Sequence, residues 1–204
     1  MCCKKQIYLW KEKVNKMKLK NIILHGEQIN LTLITIQDIE RYFEAGFKEC
    51  DEDINYYTGT DDEFTKEMVE NFVCKIVNDE TRYDFLIVDK NNNILGEVVL
   101  NEIEEDSRNS NFRISLFKIS LCGNGYGTQA INLIIKFAFE VLHLHRVELE
   151  VYSFNTRAEK AYCKAGFIKE GIKRDGELIN GSYCDVIIMS ILESDYKTNK
   201  QNFL

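Results

Sequence analysis

Proline is absent from this 204-residue chain, so chain reversals fall to glycine and asparagine. Cysteine is present without a pattern. Cys2, Cys3, Cys50, Cys74, Cys122, Cys163 and Cys184 form no C-x-x-C pair and no regular spacing, which suggests neither a zinc site nor a disulfide framework. Free thiols imply a reducing compartment, and a cytoplasmic location is expected. No apolar run approaches the roughly 18 residues of a membrane span, and IYLW near the start is too short for a signal-peptide core, so no membrane association is expected. Histidine is scarce. His143 and His145 lie two apart with no evident third ligand, and they read as structural residues with no metal.

Basic charge is also lacking. The net charge is −7, which argues against nucleic acid as a partner because phosphate binding needs a basic face. The charge is uneven: the first 20 residues carry seven lysines and one acid, a net of +6, leaving −13 for the rest. Acids gather at Glu49, Asp51, Glu52, Asp53, Asp61, Asp62 and Glu63, and again at Glu102, Glu104, Glu105 and Asp106. Such clusters are either a solvated surface or a field that favours a cationic ligand.

At this length, with 45% hydrophobic residues, one buried core is the default. Residues 1–18 are basic and lack clear periodicity, so they are expected to be an extension, with a short helix docking through Ile7, Leu9 and Trp10 as the competing view. Residues 19–196 should form one domain, and 197–204 a polar tail. Gln28 to Thr35 alternates as a strand. QDIERYFEAGF predicts a helix with Ile39, Tyr42, Phe43 and Phe47 on one face. Thr60 and Glu63 suggest a capping box for a second helix striped by Phe64, Met68, Phe72 and Ile76. Strands follow near Tyr83–Asp89, Ile94–Ile103 and Phe112–Ile119, the first two joined by the turn NNN. Thr128 to Leu142 is apolar almost all round, leaving Gln129, Asn132, Lys136 and Glu140 as one narrow polar stripe, and predicts a helix packed into a sheet. Arg146–Tyr152 reads as a strand and Asn155–Ala165 as a helix. Phe167–Lys173 and Tyr183–Leu192 are strands flanking an Asn180-Gly181 turn. The order βααβββαβαββ is α+β, with one mixed, mostly antiparallel sheet whose parallel pair forms across the long helix.

Between the third antiparallel strand and that helix stands SLCGNGYGTQA, with Gly123, Gly125 and Gly127 in five positions. Glycines here permit φ > 0 or close approach of a ligand. A glycine turn opening a helix also aims backbone N–H groups along the positive end of the helix dipole, which suits phosphates. A dinucleotide fingerprint fails because Thr128 stands where its third glycine belongs, and a P-loop fails because no Lys-Ser/Thr pair closes the loop.

CGNGYGTQA resembles the acyl-CoA pyrophosphate loop, Q/R-x-x-G-x-G/A, of the GNAT superfamily of N-acetyltransferases. VYSFNTRAEKAYCKAGFIKEG is similar to its second signature, N-x-x-A followed by tyrosine and G-F. The similarity spans roughly residues 20–196 and is greatest to the RimJ/RimL-like branch. It implies a layered αβα fold and an enzyme that transfers acetyl from acetyl-CoA directly to a primary amine, without a metal. On this resemblance Cys122, Gly123, Asn124, Gly125, Tyr126, Gly127 and Thr128 form the cofactor loop, with backbone amides from Gly123 to Thr128 on the pyrophosphate. The strand ending near Ser120 should diverge from Glu148–Tyr152 to admit the pantetheine arm, and Asn155 should touch that arm or cap the following helix. Tyr162 would be the catalytic acid protonating the departing thiolate, although Ala158, Ala161, Tyr162 and Ala165 also share one helical face.

Two departures stand out. Asn111 occupies the place of the glutamate base of many relatives and cannot accept a proton at neutral pH, leaving Glu102, Glu104 or a water chain. Cys122 replaces the usual Gln or Arg, and direct transfer gives it no nucleophilic role. A small cationic amine or polyamine is the expected acceptor, with a protein N-terminus also open. A homodimer is expected by analogy alone. The competing class is a non-catalytic acyl-CoA sensor or interaction module.

Overall fold

A computed structural model describes residues 19, 21–60 and 63–198. The expected extension at 1–18, Asp61, Asp62 and the chain beyond Thr198 lie outside the described residues. Eight strands form one sheet, in the order β1-β2-β3-β4-β5-β6-β8-β7: β1 (Ile23–His25), β2 (Ile29–Leu33), β3 (Tyr83–Asp89), β4 (Ile94–Glu104), β5 (Asn109–Leu116), β6 (Arg146–Tyr152), β7 (Ile168–Ile179) and β8 (Ser182–Leu192). Among the described residues six α-helices flank it: α1 (Ile39–Gly46), α2 (Glu52–Thr58), α3 (Lys66–Ile76), α4 (Tyr126–Glu140), α5 (Thr156–Lys164) and α6 (Glu193–Thr198). The last crosses the expected domain end at residue 196.

The layering follows from strand periodicity. β3 is buried on both faces because Phe85 and Ile87 point to one side and Leu86 and Val88 to the other. The first pair joins Ile131, Ile134 and Ile135 of α4, whereas the second joins Tyr42 of α1 and Val69, Val73 and Ile76 of α3. Turn chemistry behaves as the sequence predicts. Asn180 and Gly181 take φ of 49° and 76° between β7 and β8, and Asp89 accepts from the Asn91 and Asn93 amides in the NNN turn.

One local expectation is corrected. The cap of α3 is Thr65, whose hydroxyl accepts from the Met68 amide, and not Thr60. The buried stripe is accordingly Val69, Val73 and Ile76, with Met68 and Phe72 outward. Residues 52–58, to which the sequence reading assigns no element, form α2, because Asp51 caps that segment through the Ile54 amide and Gly59 ends it with φ 66°.

β5 and β6 supply the opening that matters. They pair in parallel only at Asn109↔Arg146, Ser110↔Val147 and Asn111↔Glu148, and then separate. β4 continues antiparallel to β5 as far as Gly96↔Leu116, and β8 pairs β6 over its full length, so each side of the split stays supported.

Candidate active site

A cavity of about 1030 Å³ occupies the split, at the upper limit of the size range of small-molecule and cofactor sites. Its rim is the glycine turn. A short 3₁₀ turn (Ile119–Leu121) ends β5's extension, and Gly123 and Gly125 then adopt φ of 83° and 86°. α4 begins at Tyr126, two residues before the expected Thr128, with no side chain capping it. The first N–H taken up inside the helix is that of Gln129, on the Gly125 carbonyl. The amides of Tyr126, Gly127 and Thr128, in the first turn of α4, have neither a helix carbonyl nor a capping side chain as partner. A Cβ at Gly123 would meet no atom within 4 Å, so the turn is open there. Free amides at a helix N-terminus before an open cleft fit a pyrophosphate. Two cations of α5, Arg157 and Lys164, also line the cavity. Neither was singled out from the sequence.

Not every loop residue contributes its side chain. Asn124 donates to the Ser120 and Leu121 carbonyls and thereby shapes the turn. Tyr126 packs on the main core. Cys122, Thr128 and Asn155 line the cavity. Burial pushes the Cys122 thiol up despite the nearby Arg157 charge, so it stays protonated at neutral pH. Asn155 is the N-cap of α5, accepting from the Ala158 amide at 3.2 Å while its NH₂ donates to the Tyr57 carbonyl at 3.4 Å.

Tyr162 lies on the buried face of α5, edge-on to Phe112 and Phe167 at 5.9 Å, and lines the cavity. Burial raises its phenol well above the ordinary value, so the proton is held throughout the working pH range.

The carboxylates differ from expectation. Glu102 sits with φ 53° in an irregularity of β4, and Glu104 accepts from Ser107; neither lines the cavity, nor does Asn111. The acids that do are Asp51, Glu97, Glu150 and Glu177. Glu97 stands opposite Ser115 and accepts a short hydrogen bond from the Tyr42 hydroxyl. Burial, the largest influence, raises its carboxyl, while the Tyr42 bond and Arg113 pull it down. The surrounding wall is aromatic: Phe47 lies 4.8 Å from Tyr42, 5.3 Å from Phe64 and 5.7 Å from Phe117, ring centre to ring centre. Glu97 was missed in the sequence, although a lone acid inside ILGEVVL is a signal, since a charge in a strand buried on both faces needs a reason to be there.

The Acetyltransferase (GNAT) domain family model matches residues 28–168, which includes both the glycine turn and the α5 segment. This chain belongs to the GNAT acetyltransferase family. The acetyltransferase is 33% identical over 128 residues to spermidine N(1)-acetyltransferase of Vibrio cholerae, covering 63% of this chain and 73% of that one. It is 32% identical over 122 residues to the Escherichia coli K12 enzyme of the same name, covering 60% and 64%. Its fold superposes on the crystal structure of the Vibrio cholerae spermidine N-acetyltransferase in complex with CoA and spermine with a TM-score of 0.76, at 27% identity over 84% of this chain and 99% of that one. The acetyltransferase thus uses acetyl-CoA as its acyl donor and an amine as acceptor. No three His, Cys, Asp or Glu side chains among its described residues are grouped to hold a metal.

Proposed function

We propose that this acetyltransferase moves the acetyl group directly from acetyl-CoA to a primary amine of a small polyamine, both substrates being held together in the β5–β6 cleft. The observation carrying this reading is that one cavity holds two kinds of lining. Its lining joins the glycine turn at the α4 N-terminus and the cations Arg157 and Lys164, which suit phosphates, to aromatic rings around a partly buried carboxylate, which suit a slim cation. The relatives' printed acceptors, spermidine and spermine, support the same class. Backbone amides of Gly123 to Thr128 hold the pyrophosphate, and Asn155 orients α5. From the buried face of that helix Tyr162 donates a proton to the departing sulfur. Cys122 takes no covalent part.

The finer placement in the RimJ/RimL-like branch and a homodimer belong to this reading by analogy. A cytoplasmic setting suits the free thiols of Cys50, Cys74, Cys122, Cys163 and Cys184. Thiol release measured with spermidine, spermine, monoamines and a peptide with a free N-terminus tests the acceptor. The polyamines should give the highest kcat/KM. Preferential turnover of the peptide would overturn the polyamine reading, and acetyl-CoA binding without turnover on any amine would establish a sensor instead.

A further inference from the structure

The place of a base on β5 is taken by Asn111, which is outside the cavity, so the reaction described above lacks a proton acceptor for the incoming ammonium. We propose that Glu97, on the neighbouring strand β4, is that acceptor: its carboxylate receives the ammonium of the acceptor amine and removes the proton that blocks attack. The inference rests on the acetyltransferase reading of the same cleft.

Position comes first. The β4–β5 register sets Glu97 across from Ser115 and on the sheet face shared with Arg113, and all three line the cavity that Tyr162 enters from the helix α5 side. The two proton-handling groups therefore approach one cleft from different layers, as an acid and a base on either side of a reacting thioester must. The environment then selects the chemistry. Glu97 meets the Tyr42 hydroxyl of α1, Arg113 of β5, and the pair formed by Asp84 of β3 with Arg82 just before that strand, in which Arg82 holds Asp84 at 2.6 Å. Tyr42 uses its one proton on Glu97 and fixes the carboxylate's orientation, leaving further lone pairs for an ammonium. Enclosure raises the carboxyl, which narrows its gap to an amine and makes it a stronger base than a solvated glutamate.

The balance of the step is complete. The Glu97 carboxylate takes one proton from nitrogen; the freed lone pair forms the C–N bond at the thioester carbonyl carbon; the C–S bond breaks with its electron pair on sulfur. Tyr162 supplies the sulfur's proton and regains one from solvent. The second nitrogen proton and the one held by Glu97 pass to solvent, so one proton is released per turnover.

Full-length protein is assayed for thiol release with spermidine across pH, with acetyl-CoA binding measured alongside by calorimetry. E97Q should lower kcat/KM by about 10²-fold or more, abolish the acid limb of the pH profile and leave acetyl-CoA affinity intact. Activity needs the ionised carboxylate, so it falls as pH drops through the Glu97 pKa. Y42F and the exposed R113Q each remove an influence that lowers that pKa, and each should move the acid limb to higher pH. R113Q keeps the inference open to test should E97Q not fold. Wild-type turnover with an unchanged acid limb in E97Q, or in R113Q and Y42F together, would overturn Glu97 as the base. Absence of wild-type turnover on any amine would overturn the acetyltransferase reading with it.

Discussion

At the scale of single residues, the site divides into groups that hold a proton and groups that shape a turn. Tyr162 is of the first kind. Its ring is fixed by Phe112 and Phe167 and no described residue accepts from its hydroxyl, so Tyr162→Phe removes chemistry while keeping the packing. That substitution should reduce kcat about 10²-fold or more, with a melting temperature near that of the wild type and unchanged acetyl-CoA affinity, read by thiol release, thermal unfolding and calorimetry. Because burial raises the phenol, no loss of activity from Tyr162 ionisation should be seen on the alkaline side up to the ordinary tyrosine range. A fall in acetyl-CoA binding instead would make Tyr162 a structural residue.

At the scale of elements, α2 links the acceptor side to the cofactor turn. The Asp51 carboxylate caps α2 through the Ile54 amide at 3.2 Å and also accepts from the Ile119 amide at 2.9 Å, just before the glycine turn. The Ile119 bond is the main reason its carboxyl lies below the ordinary value. Asp51→Ala should cost about 1 kcal/mol in unfolding free energy and weaken acetyl-CoA binding, with Asp51→Asn recovering part of both through its remaining acceptor oxygen. An Ala variant as stable and as tight-binding as the wild type would remove this link. The same element marks the limit of what the sequence tells. The α4 helix, the Asn180-Gly181 hairpin and the parallel pair were all legible, because apolar periodicity and turn chemistry are local. α2 was not, because its seven residues are too few to show a helical period around the lone aliphatic Ile54, and its cap Asp51 was hidden in an acidic run. The glycine turn was legible as a turn opening a helix, with Gly123 and Gly125 at positive φ. Glu97 was not legible as part of the cleft, because only the β4–β5 register and its contact with Tyr42 of α1 set it against the cavity.

At the scale of the molecule, a sheet opened between β5 and β6 must be held firmly beyond the opening. Arg146 of β6 makes two bonds to Glu170 of β7, at 2.8 and 2.5 Å, and Ser190 of β8 donates to the same carboxylate at 2.7 Å. These bonds, Arg146's first, lower the Glu170 carboxyl from 4.5 to about 2. A depressed carboxylate stabilises the fold fully above its unfolded value and loses that contribution as pH falls through the folded one. Stability should therefore decline between about pH 4.5 and 2 with a slope that Glu170→Gln flattens, as followed by chemical denaturation across that window. An unchanged slope would show that the pair contributes nothing there.

Direct transfer within one cleft is tested most simply by loading the protein with acetyl-CoA labelled in the acetyl group and adding spermidine in a single turnover. The label should pass to the amine with no labelled protein at any time point. Labelled protein forming first, above all at Cys122, and then yielding its acetyl group to spermidine would contradict the account.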